Sequence, residues 1–538
     1  MRRIFTSFIL LAAGAFFAGA QNMYDALTFS ENEYAGSART IAMGNAFTAL
    51  GGDLGSIGIN PAGSAVAGYS QFTITPGLSL MTSTSQGTIP SGYSSPYCYD
   101  EVGEAMMSRF SMPNLGFILD FNTGRSRGLK NYTFGFASNV TNNFLDDVYA
   151  YGNQNKDFLT SYAGYIADQA SGYNVEELMN YGYAPDEIAL GWNSGLISYV
   201  NDDKDLYAGA TEQFQQTKEG DYEFYTGGPL TQSYARQVKG SKYDYVINMA
   251  ANFSDKLYIG ANIGFTHFNY SYEDAQKEMP IDKENFPIST DDGDTYFKSL
   301  RHSYFYDAKG NGIYAKAGLI WKPTSFLRVG AAFQTPTITT IHESWQSYAE
   351  TKFEDSNFDC NDYTPSYSAD PYDLKSPGRI NVGLAGVIGR FGLISVDYEM
   401  ANYSKARFSE TDYYSTYFDE VNSDISYYLT RQHALRVGLE AKPIYCLAIR
   451  AGFNIAGTPI RYEDEDGKLY TPKTNKKAYS FGIGYSSPKS FFVDLAVKAL
   501  QYEDEYIYPY DDYMDVWSPE ILTRRILWTA AVTFGWRF

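Results

Sequence analysis

The feature that most constrains this chain is a repeat of period two. From Tyr69 onward, runs of about 10–13 residues alternate apolar side chains with polar or small ones, and the runs come in pairs. Lys242–Phe253 and Leu257–Tyr272 are joined by Ser254-Asp255-Lys256, and Gly312–Trp321 and Phe326–Pro336 by four residues from Lys322. Gly378–Gly389 turns into Gly392–Tyr403, His433–Lys442 into Cys446–Ala456, and Lys477–Ser486 into Ser490–Ala499. Upstream, Met107–Phe121 and Asn131–Thr141 make a pair, while Tyr69–Met81 and Leu527–Phe538 stand alone at the two ends. Long polar segments separate the pairs, the largest over 142–241, where Val175-Glu176-Glu177-Leu178-Met179 suggests short helices in an ordered cap.

This pattern predicts about fourteen antiparallel strands, each long enough to cross a bilayer when tilted. Short turns on one side and long loops on the other, with single strands at both ends, describe a closed meander whose termini share the short-turn side. The faces agree. Trp528, Ala530, Val532, Phe534, Trp536 and Phe538 share one face of the last run, and Thr529, Ala531, Thr533, Gly535 and Arg537 the other. Apolar outside and polar or glycine inside suits lipid around a polar lumen. The 49 Tyr and 35 Phe suit aromatic girdles at the interfaces, which soluble enzymes of this length do not need. Past residue 20 there is no apolar run of helical-span length. The expected fold is therefore all-β: a fourteen-stranded antiparallel transmembrane barrel over 69–538.

Met1–Ala20 has a basic start at Arg2 and Arg3, an apolar centre and a small-residue end, which reads as a secretory signal cleaved before Gln21. Between it and the first strand, residues 21–68 break the pattern. Gly44 to Gly63 is rich in glycine and small residues, suited to tight turns packed inside something larger, and the lumen is the obvious place. That makes 21–68 an N-terminal plug, or hatch. The net charge of −20 argues against nucleic acid, and Cys98, Cys360 and Cys446 form neither a zinc spacing nor CxxC. The four His make no catalytic or metal pattern. Asp291-Asp292-Gly293-Asp294 lacks the calcium-loop spacing, so no metal, cofactor or enzymatic site is expected.

Ser37 to Gly63, SARTIAMGNAFTALGGDLGSIGINPAG, resembles the hatch of the outer-membrane long-chain fatty acid transporter family, the FadL-like proteins, in wording most like their Bacteroidetes-type branch. Asn60-Pro61-Ala62-Gly63 stands where that family carries its Asn-Pro-Ala motif, just before the first strand. Ser376-Pro377-Gly378-Arg379 and Arg436-Val437-Gly438-Leu439-Glu440 also look like the family. The resemblance implies passive inward movement of hydrophobic ligands in a Gram-negative outer membrane: capture at outer loops, release by hatch rearrangement, and lateral exit at a kink in the third strand. Carried onto this chain, gating falls on Asn60, Pro61, Ala62 and Gly63, and the kink on Gly135. Partners would be the ligand, outer-membrane lipid and lipopolysaccharide, and the assembly machinery reading Phe538, with both termini periplasmic. Lumen charges Lys316, Arg328, Asp397, Glu399, Arg436, Glu440, Arg450 and Lys498 read first as an opposite-charge ladder. Arg328, Arg436 and Arg450 are also candidates to hold a carboxylate head group. Competing readings are a general porin, a structural or adhesive barrel, and a diffusion channel for haem or aromatics.

Overall fold

The computed structural model describes residues 21–90, 92–200, 203–218, 220–290, 293–410, 416–464, 467–488, 490–513 and 516–538. The expected signal segment at 1–20 and the acidic pair Asp291-Asp292 lie outside them. A single closed barrel of fourteen antiparallel strands forms the body. In chain order they are β1 (Gln71–Gly87), β2 (Gly103–Asn122), β3 (Leu129–Asn153), β4 (Leu230–Phe253), β5 (Leu257–Pro280) and β6 (Gly293–Trp321). Next come β7 (Leu327–Gln334 with Ile338–Phe353), β8 (Tyr372–Lys375 with Arg379–Ile388) and β9 (Gly392–Asn402 with Arg407–Glu410). β10 (Arg431–Ile444), β11 (Leu447–Gly457), β12 (Asn475–Ser486), β13 (Phe491–Gln501 with Glu505–Ile507) and β14 (Ile521–Arg537) complete the wall. β1 pairs with β14 from Gln71↔Arg537 to Gly87↔Ile521, so the sheet closes on itself. Pro336 and Pro377 mark the two interruptions in β7 and β8, since proline has no N–H to give a ladder.

The faces divide as the alternation requires. Trp528, Phe534 and Trp536 are exposed on the outside, and Thr529, Ala531 and Thr533 are buried inside. Leu319, Phe333, Leu384, Ile394, Leu439, Phe481 and Leu495 continue the exposed apolar belt. A soluble barrel would have to solvate that belt, so this one spans a membrane.

Several strands run far beyond their alternating parts. β4 begins at Leu230 rather than Lys242, β5 continues to Pro280, and β6 begins at Gly293 rather than Gly312. Above the membrane both faces can be polar, so the hydrophobic period disappears while the backbone ladder continues, as Arg236↔Asp274 and Ser233↔Lys277 show. The long loop accordingly contracts to 154–229. It folds as a cap containing α3 (Tyr162–Ala170), α4 (Val175–Leu178) and α5 (Asp186–Asn193), packed on Phe286, Phe297, Leu300 and Tyr510 at the long-loop end.

Inside the barrel the chain forms α1 (Met23–Ser30), α2 (Ala38–Ala42) and 3-10 turns at Leu54–Gly58 and Pro61–Val66. These pieces are almost wholly buried and fill the lumen as a plug.

Candidate functional site: plug, lumen and lateral window

The plug is seated against a wall cleared for it. At Gly260, Gly318, Gly330, Gly438, Gly452 and Gly482 an added methyl would strike plug atoms, of Pro61, Asn60, Thr48, Met43, Gly44 and Ala42 respectively. Glycine on the inner face is therefore a packing device, giving the plug backbone access to strands on two sides of the barrel. Asn60 is fully buried. Its side chain accepts from the Ala62 amide at 3.1 Å, as an N-cap, and donates to the Thr48 carbonyl at 2.6 Å. The same amide nitrogen lies 3.0 Å from the Leu319 carbonyl on β6 and 3.4 Å from that of Ala331 on β7. Pro61 starts the 3-10 turn with fixed φ, and its carbonyl accepts from Asn248 on β4 at 3.0 Å. Ala62 is buried against Tyr258 and Ile320, and the Gly63 carbonyl accepts from Gly52 at 2.9 Å. The motif thus clamps the plug to β4, β6 and β7 as well as leading into β1.

The three arginines singled out for a head group are already engaged. Arg328 donates to the Leu50 carbonyl of the plug at 2.6 Å. Arg436 pairs with Glu399 at 3.0 Å, while Arg450 pairs with Glu440 at 2.7 Å and Asp494 at 2.5 Å. Plug residue Arg39 joins Glu440 at 2.9 Å, and the Thr48 amide donates to Asp397 at 2.6 Å. The opposite-charge ladder is present and includes the plug.

Above the plug the lumen is apolar. Leu27 and Phe29 of α1 project into a cluster with Phe144, Phe268, Tyr306, Tyr372, Phe408 and Ile425. Phe29 stacks on Phe268 at 4.7 Å between centroids and meets Phe144 edge-on at 6.5 Å. Two tyrosines of this cluster donate to buried Glu343, Tyr306 at 2.6 Å and Tyr372 at 2.8 Å, and Gln21 donates to the same carboxylate.

The wall has one discontinuity that the alternation did not reveal. β2 and β3 pair from Asn122↔Asn131 to Asn114↔Asn139 and then separate, apart from an isolated bridge, Glu101↔Tyr151. β3 stays paired with β4 throughout, its upper register shift falling between Val140 and Asn142. It leans inward across β1: Asn143 donates to Ser79 at 2.9 Å, and Ser83 donates to the Asp147 carbonyl. A window therefore opens between β2 and β3. Gly135, where a kink was expected, is in regular register with Ile118 and Asn248; the departure begins at Val140. The sequence signal that marks the level is Pro113 on β2, adjacent to the last ladder pair.

Three features hold the bend. The plug takes the strand edge that β2 gives up, with the Glu33 amide donating to the Thr141 carbonyl and the Ala35 amide to that of Val140 at 3.0 Å. Asp146 on β3 pairs with Arg236 at 2.8 Å and Arg525 at 2.7 Å, and both arginines also pair with Glu505 at 2.8 Å. Arg109 reaches across the window from β2, donating to the Gly240 carbonyl of β4 and to Ser241 at 3.2 Å. None of these residues carried a sequence motif.

No family model matches the sequence, and no curated protein matches it. The structure is similar to a crystal structure of a FadL homologue from Pseudomonas aeruginosa, with TM-score 0.52 and 12% identity, covering 95% of this chain and 100% of that one. The toluene transporter TodX of P. putida gives TM-score 0.49 and 12% identity over 94% of this chain and 99% of its own. The toluene transporter TbuX of Ralstonia pickettii gives 0.45, 12%, 94% and 99%. At such identity the likeness to the Pseudomonas aeruginosa protein is one of fold alone, the closed antiparallel barrel.

Proposed function

We propose that this protein is a passive outer-membrane transporter for hydrophobic small molecules, long-chain fatty acids in the first place. The short-turn end faces the periplasm and the capped end the exterior; residues 21–68 act as the hatch and 1–20 are removed on secretion. Ligand captured at the cap enters the apolar lumen beside α1 and leaves through the β2–β3 window into the bilayer. The observation that carries this reading is the shared edge: the β3 carbonyls at Val140 and Thr141, beside the window, are those the plug amides occupy. Movement of the plug therefore acts directly on the edge of the window, with no need for ATP or an energised partner. The hatch resemblance and the fold shared with a FadL homologue support it. An open porin would lack a buried plug.

Reconstitution in liposomes tests the proposal. Saturable uptake of labelled oleate without swelling in sugar solutions is the expected result. Large steady conductance with sugar permeation, and no oleate uptake, would sink it.

A further inference from the structure

Lys242 on β4 is buried, and among the described residues no carboxylate lies within ion-pair distance of it. Its ammonium donates to two plug carbonyls, Phe29 at 2.7 Å and Glu31 at 3.2 Å. Beside them the Ser30 carbonyl accepts from Arg379 on β8 at 2.6 Å, an arginine also held by Glu399 and Tyr403. These three carbonyls are the end of α1, where the helix dipole concentrates partial negative charge, and α1 has no basic residue of its own in its last turn. Immediately before them, Ala26, Leu27 and Phe29 fill the apolar cluster. Seen from the wall, α1 is an apolar body with an oxygen-bearing, electronegative end seated on two cations.

We infer that α1 is a resident surrogate for the transported ligand. An amphiphile with a single anionic head displaces it, seating its tail against Phe268 and Phe144 and its head on Lys242. This rests on the transport reading above and assigns the head-group contact to Lys242 rather than to Arg328, Arg436 or Arg450, each of which, like Arg379, has a partner that α1 does not supply. The physical argument is that a buried cation whose partners are neutral carbonyls gains more from a full negative charge than one already paired with a carboxylate. When α1 leaves, Lys242 loses both of its hydrogen-bond acceptors. The self-occupied pocket keeps the lumen dry and filled when ligand is absent. It also sets a threshold, because apparent affinity is reduced by the fraction of molecules in which α1 has withdrawn.

Competition decides the matter, using the full mature chain in detergent with oleate and uncharged oleyl alcohol as probes. Phe29→Ala weakens the surrogate and should tighten binding of both probes, by about tenfold or more. Lys242→Met keeps the side-chain stem and should weaken oleate by about tenfold or more relative to oleyl alcohol. In the unmodified protein, hydrogen exchange at the α1 amides should speed up when oleate is added. Oleate binding with α1 protection retained at saturation overturns the inference while leaving transport standing, as does unchanged or weaker binding in Phe29→Ala. Equal weakening of both probes in Lys242→Met removes the head-group assignment. Binding of neither probe to any form overturns the transport reading itself, and the surrogate with it.

Discussion

The two sides of the lumen hold the plug by different chemistry. Along β9 to β13 the contacts are built on carboxylates: Arg39 to Glu440, itself paired with Arg450, and the Thr48 amide to Asp397. Along β4 to β8 wall cations rest on plug carbonyls instead, Lys242 on Phe29 and Glu31, Lys316 on Gly58 at 2.8 Å, and Arg328 on Leu50. If the plug withdrew, the first side would remain largely paired through Arg450–Glu440, Arg450–Asp494 and Arg436–Glu399. On the second, Lys242, Lys316 and Arg328 would each lose the carbonyls to which they donate. One side therefore behaves as an anchor and the other as a surface that an incoming anion can compete for.

Removing the plug altogether gives the largest expected effect. A chain lacking Gln21–Ala67 should still assemble, because each strand shares a backbone ladder with both neighbours without it, but single channels in planar bilayers should show steady, high conductance. Conductance unchanged from the full chain would refute the plug. The contrast between the two sides is sharpened by single substitutions. Glu440→Gln leaves Arg39 and Arg450 short of their shared carboxylate and should cost about 3–5 kcal/mol in resistance to thermal unfolding. Lys316→Met removes one buried cation together with its single hydrogen bond to the plug and should cost about 1 kcal/mol or less. Equal losses in a heat-modifiability assay would erase the distinction between anchor and competing surface.

The smallest effect belongs to the cap. Burial raises the Glu212 carboxyl to about 7, although the Gly209 amide donates to it at 2.8 Å. A folded-state pKa above the unfolded one means that this contribution is complete below about pH 4.5 and declines as pH rises to 7. Cap resistance to proteolysis should therefore fall between those pH values, by an amount equivalent to at most about 3 kcal/mol. Glu212→Gln, which cannot ionise, should flatten the profile; an unchanged pH dependence would place its origin elsewhere.

Much of the wall was legible because lipid imposes a period on each strand. Trp528, Phe534 and Trp536 had to face out and Thr529 and Thr533 in, and turns such as Ser254-Asp255-Lys256 punctuate the pattern. The reading stopped where that pressure stops. β4, β5 and β6 continue for eight or more residues above the membrane with no hydrophobic alternation to announce them, their backbone ladders unbroken. Gly135 illustrates a different limit. A strand glycine fits a kink, a tight neighbour or a plug contact equally well, and the register shift came five residues later, at Val140, opposite a plug segment whose bridge at Ala35 no local pattern foretells.

The sequence by itself determined the barrel, its orientation of faces and the presence of a small-residue plug, because these follow from periodicity and from the space that side chains need. Only the tertiary structure decided where the wall opens, which arginines are already paired, and that Lys242 spends its charge on the end of α1. The Lys242 and Arg328 contacts join residues more than 200 positions apart in one lumen. Pairing between such distant groups depends on closure of the whole sheet, which no local stretch encodes.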